Sequence, residues 1–241
     1  MSPNPETFLQ HLRASGYHSR SNKHSNALAE AIVTDLVASC PAVAEKARRG
    51  LLVYDLNFTI KAGTSDWNVD LVLGAPAPPL RTPEKGVAIR RTAPSSVEVA
   101  IEIKSVMTEH RKAVKNRKRD LEAHHEHVHR YNNLAIAAGV LVVNQAATFK
   151  SPLRDEVTRH KNPGVLVEHC VLQARSITSR SGLQGEGLEA KAVIVVEMDN
   201  QDYGATQYIT RPPAPVIGDP LHYDAFVQCL CSLYSQRFGQ R

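Results

Sequence analysis

Val97-Glu-Val-Ala-Ile-Glu-Ile-Lys104 is the stretch whose reading decides the fold. Val97, Val99, Ile101 and Ile103 alternate with Glu98, Ala100, Glu102 and Lys104, the period of two that marks a strand with one apolar and one polar face. Successive side chains of a strand point to opposite faces, so Glu102 and Lys104 project together, about 7 Å apart. Alone, the pattern fits an ion pair on a water-facing strand as well as it fits a reactive site. The segments on either side decide between the two.

Upstream, Leu51–Ile60 alternates as strongly, with Leu52, Tyr54, Leu56, Phe58 and Ile60 against Asp55, Asn57 and Thr59. Lys61-Ala-Gly-Thr-Ser reads as a turn. Asp66–Leu73 is then a second strand, with Trp67, Val69, Leu71 and Leu73 on one face and Asp66, Asn68 and Asp70 on the other. Two strands joined so tightly form a hairpin. Residues 74–94 hold five prolines and read as a long loop with a short strand at Val87–Arg90. Before the hairpin, a helix is expected from Ser25 or Asn26 to about Ser39, with a stripe of Leu28, Ala31, Ile32 and Leu36. Pro41 stops it and opens a second short helix that Gly50 ends. A short helical patch around Phe8–Leu12 comes first.

Downstream, Met107 to about Tyr131 has no Gly or Pro and reads as one long helix. Val140–Asn144 follows as a buried strand. Phe149–Lys161 reads as a polar loop or helix, Val165–Ile177 as a helix, and Arg180–Gly187 as a mobile glycine-rich segment. Ala192–Val196 is another strand and residues 199–220 are irregular. An amphipathic helix from Tyr223 to Phe238 closes the chain, with Phe226, Leu230, Leu233 and Tyr234 on one side. Such a stripe could pack on the sheet or meet a second copy.

A chain of 241 residues can bury a sizeable core and fits one α/β domain better than two. Lys and Arg outnumber Asp and Glu by 29 to 24, and the clustering of that excess favours an anionic partner such as nucleic acid. Cys40, Cys170, Cys229 and Cys231 form no CxxC pair, so reduced thiols are expected. The opening Met-Ser-Pro-Asn-Pro-Glu lacks the basic and apolar regions of a signal peptide. No apolar run approaches the roughly 20 residues of a membrane helix. A cytoplasmic protein is therefore expected, with no membrane partner.

The order helix, three strands, helix, strand, with Asp70 on the second strand and Glu102-Ile-Lys104 on the third, resembles the PD-(D/E)xK nuclease superfamily. Within it, the chain looks most like a type II restriction endonuclease or a related host-defence nuclease. The resemblance covers residues 25–145, with 146–241 an elaboration of the same domain. It implies an α/β fold, a central mixed β-sheet flanked by helices around an αβββαβ core. It also implies that Asp70 and Glu102 bind one or two Mg²⁺ ions, that Ile103 lends its backbone carbonyl, and that Lys104 is the catalytic lysine. Val69 stands where the motif's name expects proline, which leaves the ligand untouched. Many members carry a glutamate on the helix before the sheet, and Glu30 is the candidate, with Asp35 on the same helix. The reaction implied is metal-assisted hydrolysis of a DNA phosphodiester.

The helix after Lys104 carries Arg111, Lys112, Lys115, Arg117, Lys118 and Arg119, candidates for contacts with the DNA backbone. Arg81, Arg90, Arg91 and the run from Arg154 to Lys161 are candidates for groove-facing elements. Cleaving both strands of a palindrome is most simply done by a two-fold homodimer. A companion methyltransferase or defence-system protein is the other partner such an enzyme implies. Two other readings compete. His125-Glu-His-Val-His129 matches H-E-x-x-H, with Glu126 as base and a distant Glu156 or Glu168 as third ligand, the pattern of a zinc protease. A nuclease fold can also serve as a non-catalytic DNA-binding or assembly subunit, against which an intact Asp70, Glu102 and Lys104 argues.

Overall fold

The computed structural model describes residues 5–62, 65–108 and 111–239. Three helices come first, α1 (Glu6–Ser15), α2 (Lys23–Ser39) and α3 (Pro41–Arg48). Pro41 occupies the first turn of α3, where its missing N–H would have had no partner. β1 (Val53–Ala62) and β2 (Ser65–Gly74) form the hairpin, and β3 (Arg90–Arg91) is a two-residue strand closing the long loop. β4 (Val99–Val106), α4 (Arg111–Tyr131) and β5 (Ile136–Asn144) follow, then β6 (Thr148–Lys150) and β7 (Val157–Arg159). α5 (Pro163–Ser176), β8 (Ala190–Glu197), β9 (Gln207–Ile209) and α6 (Tyr223–Phe238) complete the chain.

The fold is α/β. A seven-stranded mixed sheet runs β3-β1-β2-β4-β5-β8-β9. The β1–β2 and β2–β4 pairs are antiparallel, whereas β4, β5 and β8 lie parallel. Elements after residue 145 thus extend the sheet itself, since β8 pairs with β5 along seven residues. Every residue of β5 is buried, the uniform burial of a central parallel strand covered on both faces.

One face carries α1, α2, α3 and α6, whose Phe8, Leu28, Ile32, Phe226 and Leu230 pack over Val99, Ile101 and Val140. The other carries α4 and α5. There Leu121 and Val128 cover Ala100 and Ala137, while Val167 and Cys170 cover Leu141 and Val193. α6 spans the predicted residues, and its Phe226, Leu230 and Tyr234 are buried in this core. That stripe therefore has no surface left for a second copy. α6 also brings Cys231 to Cys40, with a Cα–Cα distance of 5.3 Å, and the two form a disulfide. The expectation of reduced thiols fails for this pair because packing joins residues 191 positions apart.

Three local readings change. β6 and β7 form a small antiparallel ribbon where a loop or helix was expected, because three-residue strands are too short to display a period. The short strand in the long loop lies at Arg90–Arg91 rather than Val87–Arg90. The 180–187 segment is held rather than loose. The Arg180 guanidinium donates to the carbonyls of Leu183, Gly185 and Asn133 and to the Glu189 carboxylate. Among the described residues, no single helix is long and apolar enough to cross a membrane.

Candidate active site where β2 and β4 part

β2 and β4 pair only from Leu73↔Val99 to Leu71↔Ile101. Past that point Asp70 Oδ2 accepts the Ile103 N–H at 2.7 Å, a side chain standing in for the next rung of the ladder. The N–H and C=O of a strand residue face the same neighbour, so the Ile103 carbonyl is also turned toward this gap. Asp70 owes its position to Asn57, which lies on the rung between Leu56↔Leu71 and Phe58↔Val69. Asn57 has φ of 53°, a conformation Asn tolerates better than most residues. On one side of this rung Leu56, Leu71 and Leu73 join the core under α2, and on the other Ile60 and Val69 join the core under α4. The hairpin changes face at the rung that carries Asp70.

Side chains from the start of α2 fix that crossing. Asn22 donates to Asn57 Oδ1 at 2.8 Å, and Asn57 donates to Asn26 Oδ1 at 3.0 Å. The Ser25 hydroxyl lies beside the Asp70 carboxylate and favours its charged form. Burial is the stronger influence on Asp70 and raises its pKa, with the Ile103 N–H, Lys104 and Ser25 pulling it back.

Glu102 and Lys104 share the α4 face of β4, as the alternation predicts, but that face is not wetted. α4 covers it, and Glu102 is only 3% exposed. Gly139 stands opposite Glu102 in the register. A Cβ there would come within 2.9 Å of Leu121 Cδ2, so the bare glycine lets α4 sit this close. Glu98, expected on the same polar face, turns instead toward α3 and α6. Its carboxylate takes Lys46 Nζ at 2.9 Å and the Tyr234 hydroxyl at 2.6 Å. Regular alternation begins only at Val99, where β4 starts.

Lys104 pairs with Glu102 Oε1, whereas Glu102 Oε2 is buried with no hydrogen-bond partner. Burial pushes the Glu102 carboxyl up to about 7, with Asp70 and Asp120 adding to the rise and Lys104 opposing it. A buried carboxylate oxygen without a donor, one strand from a second carboxylate, is a costly arrangement. A hard divalent cation with oxygen ligands would complete it. Among the described residues, no group of three or more His, Cys, Asp or Glu could hold a metal. Two carboxylates with the balance made by water and phosphate is the manner in which Mg²⁺ is usually held.

The predicted residues are thus partly assembled. Asp70, Glu102, Ile103 and Lys104 meet. Glu30 does not join them, because it faces the outer edge of the sheet and pairs with Arg91 at 3.5 Å. Asp35, the other acid of that helix, accepts the Tyr223 hydroxyl at 2.7 Å. Along α4, Arg117 pairs with Asp120 and Lys118 with Glu122, each within the helix. Lys115 and Arg119 are exposed. The side chains of Arg111 and Lys112 lie outside the described residues. Arg91 also approaches Asp55 at 3.7 Å.

The H-E-x-x-H residues make contacts that belong to the fold. They line an open cavity of about 450 Å³, but both imidazoles are engaged. His125 Nδ1 accepts the Gly187 N–H at 3.3 Å and His129 Nε2 meets Glu189 Oε2 at 3.1 Å. Glu189 is itself held by Arg180 and Arg237. Each imidazole thus commits one ring nitrogen to the fold.

Sequence reasoning missed Ser25, Asn57 and Tyr17 as neighbours of the site. The one usable signal was Asn57 itself, since Asn is depleted in strands. The Tyr17 hydroxyl faces Ser105, the residue after Lys104, and lies near Arg117 of α4. Comparison of the chain with protein-family models, curated proteins and solved structures finds no match.

Proposed function

We propose that this chain is a Mg²⁺-dependent endonuclease that hydrolyses phosphodiester bonds of double-stranded DNA, of the type II restriction or host-defence kind. The observation that carries the reading is the unpartnered, buried Oε2 of Glu102 beside Asp70 and Lys104. Glu102 and Asp70, with the Ile103 carbonyl, would hold the metal at the mouth of the gap. When bound, Mg²⁺ supplies charge neutralisation at the phosphate and a more acidic water. The protein groups orient the rest. Asp70 is fixed through Oδ2 by the Ile103 N–H, so its carboxylate cannot swing away. The Lys104 side chain is 22% exposed and its ammonium, paired with Glu102, could hold the attacking water or a phosphoryl oxygen. Cutting both strands calls for two such sites, most simply in a homodimer. With the α6 stripe committed to the core, that dimer would use another surface. A companion methyltransferase or defence-system protein would be the cellular partner.

The test is incubation of purified protein with plasmid and phage DNA, modified and unmodified, with Mg²⁺ or EDTA, followed by sequencing of the ends. Cleavage with Mg²⁺ and none with EDTA is expected, with discrete ends for a restriction enzyme. Intact DNA under every condition would overturn the proposal.

A further inference from the structure

β6 and β7 rise from the end of β5, the edge of the parallel strands at which Lys104 and Ser105 also end. Their base is anchored to the core. Phe149 is buried in the core, His160 Nδ1 bonds the Ala146 carbonyl at 2.6 Å, and the Asn200 amide donates to the Lys150 carbonyl at 2.8 Å. Asn200 is also the anchor of Tyr17, accepting its N–H at 2.8 Å and donating to its carbonyl at 3.1 Å. The Phe149 ring packs edge-on to Tyr17, with centroids 6.1 Å apart. Tyr17 in turn faces Ser105 and Arg117. Two residues, Asn200 and Tyr17, therefore connect the ribbon to the strand end that bears Lys104.

The two faces of the ribbon differ. The register Thr148↔Arg159, Phe149↔Thr158 and Lys150↔Val157 puts Phe149 and Thr158 on the inner face, because side chains alternate along each strand. The outer face then carries Thr148, Lys150, Val157 and Arg159, two cations and no carboxylate. At the turn, Lys150 Nζ bonds the Asp155 carbonyl, and Arg154 and Leu153 are exposed. Asp155 and Glu156 are confined to that turn. A stiff two-stranded ribbon with a cationic outer face matches the width of a DNA major groove and the charge of its walls.

We infer that the β6–β7 ribbon is the arm that grips duplex DNA, entering the major groove beside the phosphate held at Asp70, Glu102 and Lys104. This rests on the nuclease reading, and the experiment separates the two. Binding of a duplex oligonucleotide is measured against salt with Ca²⁺ in place of Mg²⁺, for wild type, the double variant Arg154→Ala with Arg159→Ala, and Arg48→Ala on α3. Both ribbon arginines are exposed, so folding is preserved. The double variant is expected to lower the log–log salt slope by roughly two and to weaken binding at least about tenfold. Arg48→Ala should change neither. A ribbon variant with the wild-type slope, while wild type binds and cleaves, overturns this inference alone. Wild type that neither binds nor cleaves duplex overturns the nuclease reading with it.

Discussion

Glu102 and Glu189 are both buried carboxylates, with side-chain exposures of 4% and 2%, yet their surroundings are opposite. Glu189 Oε1 takes Arg180 and Arg237, each at 2.8 Å, while Oε2 takes His129 at 3.1 Å and the Ala137 N–H at 2.9 Å. Burial alone would raise its pKa, but the hydrogen bonds from His129, Arg180 and Arg237 prevail and hold it down to about 2. Glu102 has one cation on one oxygen and nothing on the other, and burial pushes it up to about 7. The first carboxylate ties α4, the 180–187 segment, β8 and α6 together. The second is left short of partners beside another acid. A buried charge with a full shell is a structural clip, and one with an incomplete shell has room for something the chain does not itself supply.

The sharpest way to break this contrast is to neutralise each carboxylate without changing its shape. Glu102→Gln should reduce Mg²⁺-dependent DNA cleavage by roughly 10²- to 10³-fold or more, with only a small change in melting temperature, since Oε2 has no hydrogen bond to lose and the Lys104 side chain left behind is 22% exposed. Lys104→Ala should abolish cleavage similarly and leave DNA binding within a few-fold of wild type. Plasmid cleavage and thermal melts of the same preparations check both. Glu102→Gln with wild-type cleavage, or with a large loss of stability, would place Glu102 in the same structural class as Glu189.

Glu189→Gln should do the reverse. It leaves Arg180, Arg237 and His129 around a neutral amide, and removing one member of a buried ionic cluster typically costs about 3–5 kcal/mol. Chemical denaturation should register that loss, while cleavage per folded molecule stays near wild type. The same cluster sets a pH window. The pKa of Glu189 is held below its ordinary value of 4.5, so its charged form stabilises the fold above that pH. The contribution fades as pH falls from about 4.5 toward about 2. Wild type should lose more stability across that interval than Glu189→Gln. Parallel curves for the two would remove the clip from the argument.

Much of the frame could be read from periodicity alone. Both hairpin strands, the strand of Glu102 and the α6 helix lie within a few residues of their predicted positions, because each is long and half or wholly apolar. Glu102 and Lys104 were legible because strand spacing puts them on one face, and Asp70, at the rung where the hairpin changes face, meets them from β2. What periodicity could not give is which polar face is covered. Glu102 was read on an open strand, but α4 closes over it, aided by Gly139. Glu30 was chosen by its helix alone, and the contact that engages it, Arg91, comes from a loop with no regular pattern. Partners far apart in sequence, such as Cys40 with Cys231 or Tyr17 with Asn200, leave no local trace.

The smallest effect expected falls on His129, the member of the Glu189 shell that also completes the H-E-x-x-H pattern. If His129 is one donor among four, His129→Gln should cost about 1 kcal/mol, the worth of one hydrogen bond, and leave the arginines to neutralise Glu189. Cleavage should be unaffected, and a double variant with His125→Ala should behave alike apart from a further modest loss of stability. The purified protein should carry no stoichiometric zinc. Metal analysis tests this independently of any cleavage assay. One zinc per chain, lost in the double variant, would show that this shell is incomplete too, and the distinction between the two glutamates would fall.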